Sequence, residues 1–499
     1  MVKRIAVIGG GLSGLTTAFY AKRYAPDSEV TVLESSSHLG GVIGTERVEI
    51  DRIGSFLIDR GADMFATDPP AAMELCRDLG VEQKLLIPQT DRAGVMIVCR
   101  GKLIPIPDGF VLMRATKLWQ MITTPILSIR GKLRFLAERW VKPNPPGNSQ
   151  SQGAASDDQS VADFVRQRMG QEVLDRLVGP LIAGIYTADI EKLSMNATMA
   201  PMVAMVREHG SLAKATLARR RAQQDATERQ SAGARYEKFR GFPEGMAELI
   251  DALAAAIGEE SIHLNARVQS LRYAPGDRPA WQLQWDQQTE TFDEVVLATP
   301  AAVSARLLHS VAERDGDALA EIHSHCRSAA DGLASIESAS TAIVVLGVPK
   351  KVIRRLPDKF GIVVPACEHR SILAISFASH KYANRCPADH TLIRVFIGGA
   401  TQSELLRQSD QQLIELVRRE LADLIGLQGS ESIARVVRWN NAMPQYHVGH
   451  QELASRVESA VDAIPALSLA TNALRGVGIS PVIANAKRVA RRITAAAIP

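Results

Sequence analysis

The sequence lacks the cysteine spacing of a metal site or a redox pair. Its five cysteines are widely separated and form no C-x-x-C motif, which excludes a zinc ribbon and an obvious dithiol. Their odd number and scatter are typical of buried thiols in a reducing compartment. We therefore expect free thiols in a cytoplasmic protein. The positions are Cys76, Cys99, Cys326, Cys367 and Cys386.

A long uncharged apolar run and a strong charge of one sign are also absent. No such run reaches the roughly 18–20 residues of a transmembrane helix, so we expect a protein that is soluble or lies on a surface. The net charge of +4 over 499 residues is too small to favour a nucleic-acid partner, although it is compatible with an acidic small substrate. The length exceeds one ordinary core and predicts two or three domains.

What the sequence does contain is a glycine-rich loop with the spacing of a dinucleotide-binding turn. Ile5 to Ile8 is a short apolar run, typical of a buried parallel strand, and G-x-G-x-x-G follows it directly. The first glycine makes the tight turn, the second lets backbone approach a pyrophosphate, and the third lets helix pack on strand. These positions are Gly9, Gly11 and Gly14.

The elements that follow the loop are in register with this interpretation. Residues 12–24 predict a helix whose N-terminal N–H groups face the phosphates. Residues 30–33 predict a second strand that ends at Glu34, where a carboxylate accepts hydrogen bonds from the adenosine ribose. A glycine turn that binds nothing, or a secretory signal beginning at Lys3 and Arg4, gives no reason for this acid.

Nucleotide-type elements recur in the middle and at the end of the chain. The apolar strand at 294–298 and the strand at 467–470, followed by a helix at 481–497, predict a cofactor domain into which other domains are inserted. Several β-type runs in between predict a separate antiparallel sheet. They lie at 340–348, 361–365, 371–376 and 392–398.

Residues 110–142 predict helices in which apolar and basic residues alternate. Such a stretch either lies on an anionic membrane or forms a core helix pair with solvated flanks. Residues 143–160 are poor in apolar residues and rich in Pro, Ser, Gly and Gln, which predicts a flexible loop.

Four further stretches carry a resemblance to a known family. The doublet Gly40-Gly41 resembles the one that FAD enzymes of the amine-oxidase-like, glutathione-reductase-fold superfamily place after the ribose-binding acid. The other three are GPLIAGIYTADIEKLS (179–194), RWNNAMPQYHVGH (438–450) and RGVGI (475–479). Through them the chain strongly resembles the oxygen-dependent protoporphyrinogen oxidase and coproporphyrinogen III oxidase family, in particular its soluble Gram-positive-type members.

The resemblance implies an α/β fold, α+β overall. Its parts are a discontinuous Rossmann-like FAD domain of glutathione-reductase type, an inserted antiparallel-sheet substrate domain, and a helical domain that can meet the membrane in related enzymes. The implied boundaries are 1–66, 236–303 and 433–499 for the FAD domain; 67–108, 205–235 and 304–432 for the substrate domain; and 109–204 for the helical domain, with its loop at 143–160.

Carried over position by position, the resemblance implies where this chain holds FAD. The pyrophosphate is assigned to Gly9, Gly10, Gly11, Leu12, Ser13 and Gly14, and the adenosine ribose to Glu34 with Ser35 beside it. Gly40 and Gly41 are assigned to the phosphates, Gly61, Ala62, Asp63 and Met64 to the isoalloxazine, and Val268 to adenine. Trp439, Val477, Gly478 and Ile479 are expected to close over the flavin.

The chain departs from the family pattern at a few positions. Ala62 and Met64 stand where relatives have Pro and Ser, Thr471-Asn472 replaces a glycine-containing pair, and Ala486 replaces a glycine. Because a side chain can obstruct the close approach of backbone to a flavin, these changes put cofactor affinity and turnover in doubt more than the fold.

The implied reaction is the six-electron oxidation of a porphyrinogen to a porphyrin in haem biosynthesis, with O2 as acceptor and H2O2 as product. Coproporphyrinogen III is slightly favoured over protoporphyrinogen IX. The flavin carries this chemistry, so no catalytic side chain and no metal are assigned. His447 and His450 are expected to form a structural loop, since a third ligand is missing. Arg100 and Lys102 are candidates for binding propionates. The alternative is that they are ordinary surface charges.

The implied partners are the porphyrinogen and O2. Contact of 110–142 with a membrane surface and handover to the next haem-pathway enzyme stay open, and the sequence does not indicate an oligomeric state. Two other interpretations also stay open: an amine oxidase or carotenoid-desaturase relative, which the 5% aromatic content and MPQYHVGH do not favour, and a flavin- or porphyrin-binding protein without turnover.

Overall fold

The computed structural model describes residues 2–142, 158–222, 238–275, 280–312 and 319–495. Within these residues a parallel five-stranded sheet organises the fold. Alternate residues of its first strand face opposite layers: Ile5 and Val7 pack on one, Ala6 and Ile8 on the other. The strand is buried on both sides, which explains its continuous apolar run. In spatial order the strands are Ile262–His263, Glu29–Leu33, Arg4–Ile8, Glu294–Leu297 and Leu467–Leu469.

Each face of the parallel sheet is covered by a different layer. One layer contains the helices Leu12–Tyr24, Ala71–Asp78, Ala247–Ile257 and Ile479–Ala495. The other contains a three-stranded antiparallel sheet (Val268–Ala274, Ala280–Trp285, Gln288–Phe292) and the helices Ala301–Ala312, Ala320–Ala334 and His450–Asp462. The predicted helix after the glycine loop and the predicted last helix are confirmed, the latter beginning two residues earlier than expected.

A larger mixed sheet forms a second core. Its order is Ile433–Pro444, Ser338–Pro349, His390–Gly398, Ala374–Phe377, Gly361–Val363, Val95–Cys99 and Lys102–Pro105. Helix Asp410–Ile425 covers one face, and the hairpin Thr45–Ile50 with Gly54–Asp59 covers the other. The expected antiparallel pairing fails at one place: Gly361–Val363 runs parallel to Val95–Ile97, because the 95–105 hairpin joins the edge from a distant part of the chain.

The third core is helical. Its helices are Leu118–Thr123, Ile129–Leu136, Val161–Met169, Gln171–Val173, Gly179–Tyr186, Met195–Thr198, Ala200–His209 and Leu212–Arg221, with a π-helical turn at Leu174–Val178. Two-residue strands Phe110–Val111 and Arg114–Ala115 form a small hairpin before them, where helix was expected. Val206 and Leu212 pack in this helical core, and the expected assignment of residues 205–235 to the substrate domain stays a prediction.

Short elements complete the fold. They are the paired strands Phe65–Ala66 and Phe239–Arg240, the helix Ala378–Lys381, and 3₁₀ turns at Glu82–Lys84, Ala137–Trp140, Glu259–Ser261, Lys350–Val352, Ala366–Glu368 and Ser403–Arg407.

The predicted flexible loop 143–160 falls mainly outside the described residues, at 143–157. Residues 158–160 belong to the part of the chain that the structure describes. Asp158 is 6% exposed, and the Ser160 side chain accepts a hydrogen bond from Asp163 N–H, capping the next helix. Residues 158 and 159 lie outside helices and strands, as expected of a loop, but Asp158 and Ser160 are buried and hydrogen-bonded, which their composition does not reveal.

Candidate functional site

The glycine loop lies at the carboxyl end of the first strand of the parallel sheet. Gly9 has a φ of +111°, and a Cβ there would lie 2.6 Å from the carbonyl oxygen of Ala298. A Cβ on Gly14 would lie 1.8 Å from the carbonyl oxygen of Gly9. These two glycines are therefore required by the turn and by the packing of helix on strand.

Gly11 needs a different explanation. Its φ is −75°, and a Cβ there would meet nothing within 4 Å, so neither conformation nor packing requires glycine. No side chain caps the helix that begins at Leu12, which leaves the N–H groups of its first turn available to an anion. The loop thus has the open approach and the donors that a nucleotide pyrophosphate needs.

Glu34 lies beside this loop. Its Oε2 accepts a hydrogen bond from Gly10 N–H at 2.7 Å, and its Oε1 accepts from Ser36 N–H at 2.7 Å. The exposed Ser35 hydroxyl lies 3.3 Å from Oε1. Two N–H bonds do not use all the lone pairs of a carboxylate, so Glu34 is fixed in place and can still accept from ribose hydroxyls.

The segment that contains Val268 runs along the same acid. Ala266 N–H donates to the carbonyl oxygen of Glu34 at 2.8 Å, and Asn265 N–H donates to Ser36 O at 2.9 Å. Val268, two residues further on, is buried at the start of its strand. The structure therefore brings the predicted adenine residue and the predicted ribose residue into one neighbourhood.

The glycine doublet packs directly on the loop. Gly40 N–H donates to Gly10 O at 2.9 Å, and a Cβ on Gly41 would lie 3.5 Å from Gly11 Cα. A Cβ on Gly61 would lie 2.0 Å from Val42 O. The doublet thus links the predicted phosphate loop to the predicted isoalloxazine turn 61–64.

The C-terminal segment closes the same region. The Ser13 hydroxyl donates to Ala470 O, and the Ser480 hydroxyl donates to Ala66 O at 3.0 Å. The last helix begins at Ile479, which follows Ala470 and directly precedes Ser480 in the sequence. Trp439 Nε1–H donates to Arg60 O at 2.9 Å, immediately before the turn. Trp439 therefore adjoins the turn, and the contacts of Ala470 and Ser480 place the segment that contains 477–479 near the loop 9–14 and Ala66.

Tyr446 and His450 support the segment 472–476. The Tyr446 hydroxyl donates to Asn472 O and accepts from Gly476 N–H at 2.8 Å. Its ring stacks on His450 with centroids 3.9 Å apart, and His450 Nε2 lies 3.1 Å from Leu474 O. Burial lowers the pKa of His450, which keeps its imidazole neutral near pH 7. The motif MPQYHVGH therefore holds the loop that leads into 477–479.

Asp158 joins the two most distinctive motifs, and sequence reasoning missed it. Its Oδ2 accepts from the Ser194 hydroxyl at 2.6 Å and from Gly449 N–H at 3.0 Å, while Oδ1 accepts from Asn196 N–H at 3.1 Å. Ser194 N–H donates to Tyr446 O at 2.8 Å. The stretches 179–194 and 438–450 thus form one hydrogen-bonded unit around a buried carboxylate.

The candidate propionate residues lie at a hairpin tip. Arg100 and Lys102 are exposed, and Arg100 has a φ of +53°. The backbone N–H groups of Arg100 and Gly101 donate to the Glu368 carboxylate at 2.7 and 3.0 Å, which fixes the tip. Their role in binding propionates stays a prediction. Tyr186 is half-buried and lies 3.4 Å from Thr198 O.

The departures from the family pattern fit the fold without strain. Thr471 is buried, and its hydroxyl accepts from Ala473 N–H at 3.2 Å. Ala486 is fully buried inside the last helix, about two turns from its start. The two side chains therefore face protein. Ala62 is exposed, and Met64 is half-buried.

The parallel α/β sheet, its glycine loop and the acid after the second strand define the class of dinucleotide-binding enzymes. The chain matches the family model described as flavin containing amine oxidoreductase over residues 12–494. It belongs to that family, and its cofactor is therefore FAD. The overall architecture is the mixed helix-and-sheet, α/β flavoprotein fold of this family.

Individual relatives span the whole chain. A coproporphyrinogen III oxidase of Propionibacterium freudenreichii is 31% identical, with 99% of this chain and 91% of that protein covered. A coproporphyrinogen III oxidase of Bacillus subtilis is 27% identical, with 97% and 96% covered. A crystal structure from Exiguobacterium sp. 255-15, provisionally described as a protoporphyrinogen oxidase, superimposes with a TM-score of 0.81 at 26% identity, covering 99% of both chains. The resemblance seen in the sequence is confirmed.

Proposed function

We propose that this protein is an FAD-dependent porphyrinogen oxidase of haem biosynthesis, and that it oxidises coproporphyrinogen III to coproporphyrin III with O2 as acceptor. The observation that carries the proposal is full-length similarity to coproporphyrinogen III oxidases at 27 to 31% identity. The two stretches specific to the resembling family also pack on each other, through the bridge between Leu193 and His447.

The discontinuous domain division is part of this proposal. The strands of the parallel sheet come from three separate parts of the chain, which supports an FAD domain with insertions. Strand Ile433–Pro444 is an edge of the large sheet, so we move the last boundary from 433 to the end of this strand. The large sheet then belongs wholly to the substrate domain.

Bound FAD would supply the redox chemistry that porphyrinogen oxidation with O2 as acceptor and H2O2 as product requires. The chain binds and orients it. The loop 9–14 and Glu34 hold the diphosphate and ribose, the turn 61–64 and residues 477–479 position the ring, and Trp439 is fixed against Arg60 O. The N-terminus of helix Ile479–Ala495 directs its partial positive charge toward this region.

The test is aerobic turnover of the FAD-loaded protein on coproporphyrinogen III and protoporphyrinogen IX in parallel, followed by porphyrin fluorescence. We expect faster oxidation of coproporphyrinogen. Neutralising Arg100 and Lys102 together should raise KM for this substrate, with four propionates, more than for protoporphyrinogen, with two. Bound FAD without fluorescence above the autoxidation blank would refute turnover and leave the non-catalytic binding protein.

We further propose peripheral contact between the helical core and an anionic membrane. Trp119 and Trp140 are 70% and 71% exposed, and Ile129 and Leu133 are 77% and 63% exposed. The interpretation of 110–142 as a core helix pair therefore explains only some of its apolar residues, because these four are exposed. The neighbouring Lys117, Arg130, Lys132, Arg134 and Arg139 supply positive charge, as expected for an interfacial surface. Within the described residues, no helix has the length and apolarity to cross a bilayer.

Vesicle flotation separates this proposal from alternatives. We expect binding to phosphatidylglycerol-containing vesicles and none to pure phosphatidylcholine, with loss of binding in the Trp119→Ala/Trp140→Ala variant. Ile87→Ala, at a 53% exposed residue outside this surface, is the matched control. No flotation with either lipid, or flotation that the tryptophan variant retains, would refute it.

A further inference from the structure

A buried ion cluster joins the turn 61–64 to the large sheet. The Asp63 carboxylate accepts from Lys381 Nζ at 2.7 Å and pairs with the Arg394 guanidinium at 3.0 Å. The side chains are only 10%, 9% and 2% exposed, respectively. Arg394 also donates to the carbonyl oxygen of Gly61. One cation from the short helix Ala378–Lys381 and one from the large sheet therefore fix both the backbone and the side chain of one turn.

A second ion pair lies next to the first. Arg385 and Asp59 approach to 3.8 Å with side chains 1% and 3% exposed, and Arg385 contributes to the electrostatic stabilisation of ionised Asp63. Burial alone would raise the pKa of Asp63, but Lys381 and Arg394 hold it well below its usual range. Three cations and two anions together leave one excess positive charge in the buried cluster.

Excess buried charge is unfavourable unless another group balances it. Around this cluster, three buried polar atoms have no hydrogen-bond partner among the described residues: Arg394 Nε, the Ser376 hydroxyl and the Tyr382 hydroxyl. Ser376 faces Arg394 across the strand pair. Such atoms are rare in proteins unless a ligand or water satisfies them. The cluster thus combines hydrogen-bond donors that have no acceptor with an excess of positive charge. Both features would stabilise a neighbouring group that becomes negatively charged.

We propose that Lys381 and Arg394 are positioning residues for the flavin: they anchor the turn 61–64 and supply a net positive charge that raises the reduction potential of the bound cofactor. The inference rests on the proposed placement of the isoalloxazine beside this turn. A preorganised charge aimed where negative charge develops favours reduction without reorganisation.

The test exploits the sign of the charge. Lys381→Met removes a cation, whereas Asp63→Asn removes an anion from the same pair. Each variant is loaded with FAD, and the flavin potential is measured by equilibration with a reference dye. A nearby charge shifts an ionisation equilibrium by about ten- to a thousandfold. We take the low end, about tenfold, which is about 30 mV for a two-electron couple.

We expect Lys381→Met to lower the potential, Asp63→Asn to raise it, and Lys381→Arg to stay within threefold of the wild-type equilibrium. Sulfite, an anion that adds reversibly to oxidised flavin, should bind about tenfold more weakly to the first variant and more tightly to the second. A merely structural role would weaken FAD binding in both variants, and their potentials would shift in the same direction or would not shift. A shift in the same direction, or no shift, would overturn the proposal.

Arg385→Met and Asp59→Asn repeat the sign test if a substitution in the first pair prevents folding. Neither readout uses a porphyrinogen. If the wild-type protein binds FAD but oxidises no porphyrinogen, the proposed function fails and the sign test still decides this inference. If the protein oxidises a porphyrinogen but removing a cation and removing an anion do not shift the flavin potential in opposite directions, this inference fails and the proposed function stands.

Discussion

Gly11→Ala offers a direct test of the cofactor placement. The added Cβ meets no protein atom within 4 Å and needs no unusual φ. The apoprotein should therefore fold, losing about 1 kcal/mol or less, since alanine caps a helix less well than glycine. A pyrophosphate that approaches the Gly11 backbone, by contrast, would meet the new methyl group. Binding of FAD should weaken while the fold is retained.

The magnitude follows from the contacts at risk. A hydrogen bond between a backbone N–H and a charged phosphate contributes about 1.5–3 kcal/mol. Displacing the pyrophosphate enough to lose one such bond should raise Kd about ten- to a hundredfold. The stabilisation of the protein by a fixed excess of FAD should fall by about 1.4 kcal/mol for each factor of ten in Kd.

The assay titrates the apoprotein with FAD by fluorescence quenching and measures its unfolding in urea. Gly184→Ala is the matched control, because it also adds a Cβ with nothing within 4 Å, but on the helix Gly179–Tyr186. It should leave Kd unchanged. Gly14→Ala should damage the fold itself, since its Cβ would lie 1.8 Å from Gly9 O. If Gly11→Ala binds FAD within twofold of wild type, the phosphate placement is wrong.

Three other outcomes follow from the buried polar groups. Tyr446→Phe leaves Gly476 N–H without its 2.8 Å acceptor and should lower the free energy of unfolding by about 1–3 kcal/mol; an unchanged urea midpoint would contradict this. Burial lowers the pKa of His450 below its unfolded value of about 6.5. The folded state then binds fewer protons, so stability should fall as pH drops below 6.5, and His450→Gln should flatten that slope in urea unfolding from pH 8 to 5. Asp158→Asn replaces a carboxylate that accepts four hydrogen bonds and should cost on the order of 3 kcal/mol, whereas the exposed Asp51→Asn should cost nothing measurable.

The cofactor loop could be predicted from sequence because its constraints are local. The strand, the glycine spacing and Glu34 lie within some thirty residues, and each obeys a rule that needs no tertiary information. The spacing also predicted a separate role for each of the three glycines. The structure agrees with those roles: a Cβ on Gly9 would meet Ala298 O, a Cβ on Gly14 would meet Gly9 O, and a Cβ on Gly11 would meet nothing within 4 Å.

Long-range partners explain most of what sequence reasoning missed. Asp158 ends a stretch whose average composition predicts a loop, and its partners lie 36 and 291 residues away. Lys381 is 318 residues from Asp63, and lysine and arginine are usually exposed. Nothing in the local pattern around 381 or 394 indicates burial. The parallel pairing of Val95–Ile97 with Gly361–Val363 was missed for the same reason.

The buried cluster also bears on the altered turn. At position 62 the sequence resemblance led us to expect proline, whose ring would fix φ, but this chain has alanine there. Asp63 and the carbonyl oxygen of Gly61 are instead tied to Lys381 and Arg394. These ion pairs are almost fully buried, so salt screens them much less than surface pairs. The low pKa of Asp63 keeps its carboxylate charged throughout the neutral range. An electrostatic anchor from the large sheet can therefore take the place of local backbone rigidity, and it couples the orientation of the turn to the core that the proposed substrate domain provides.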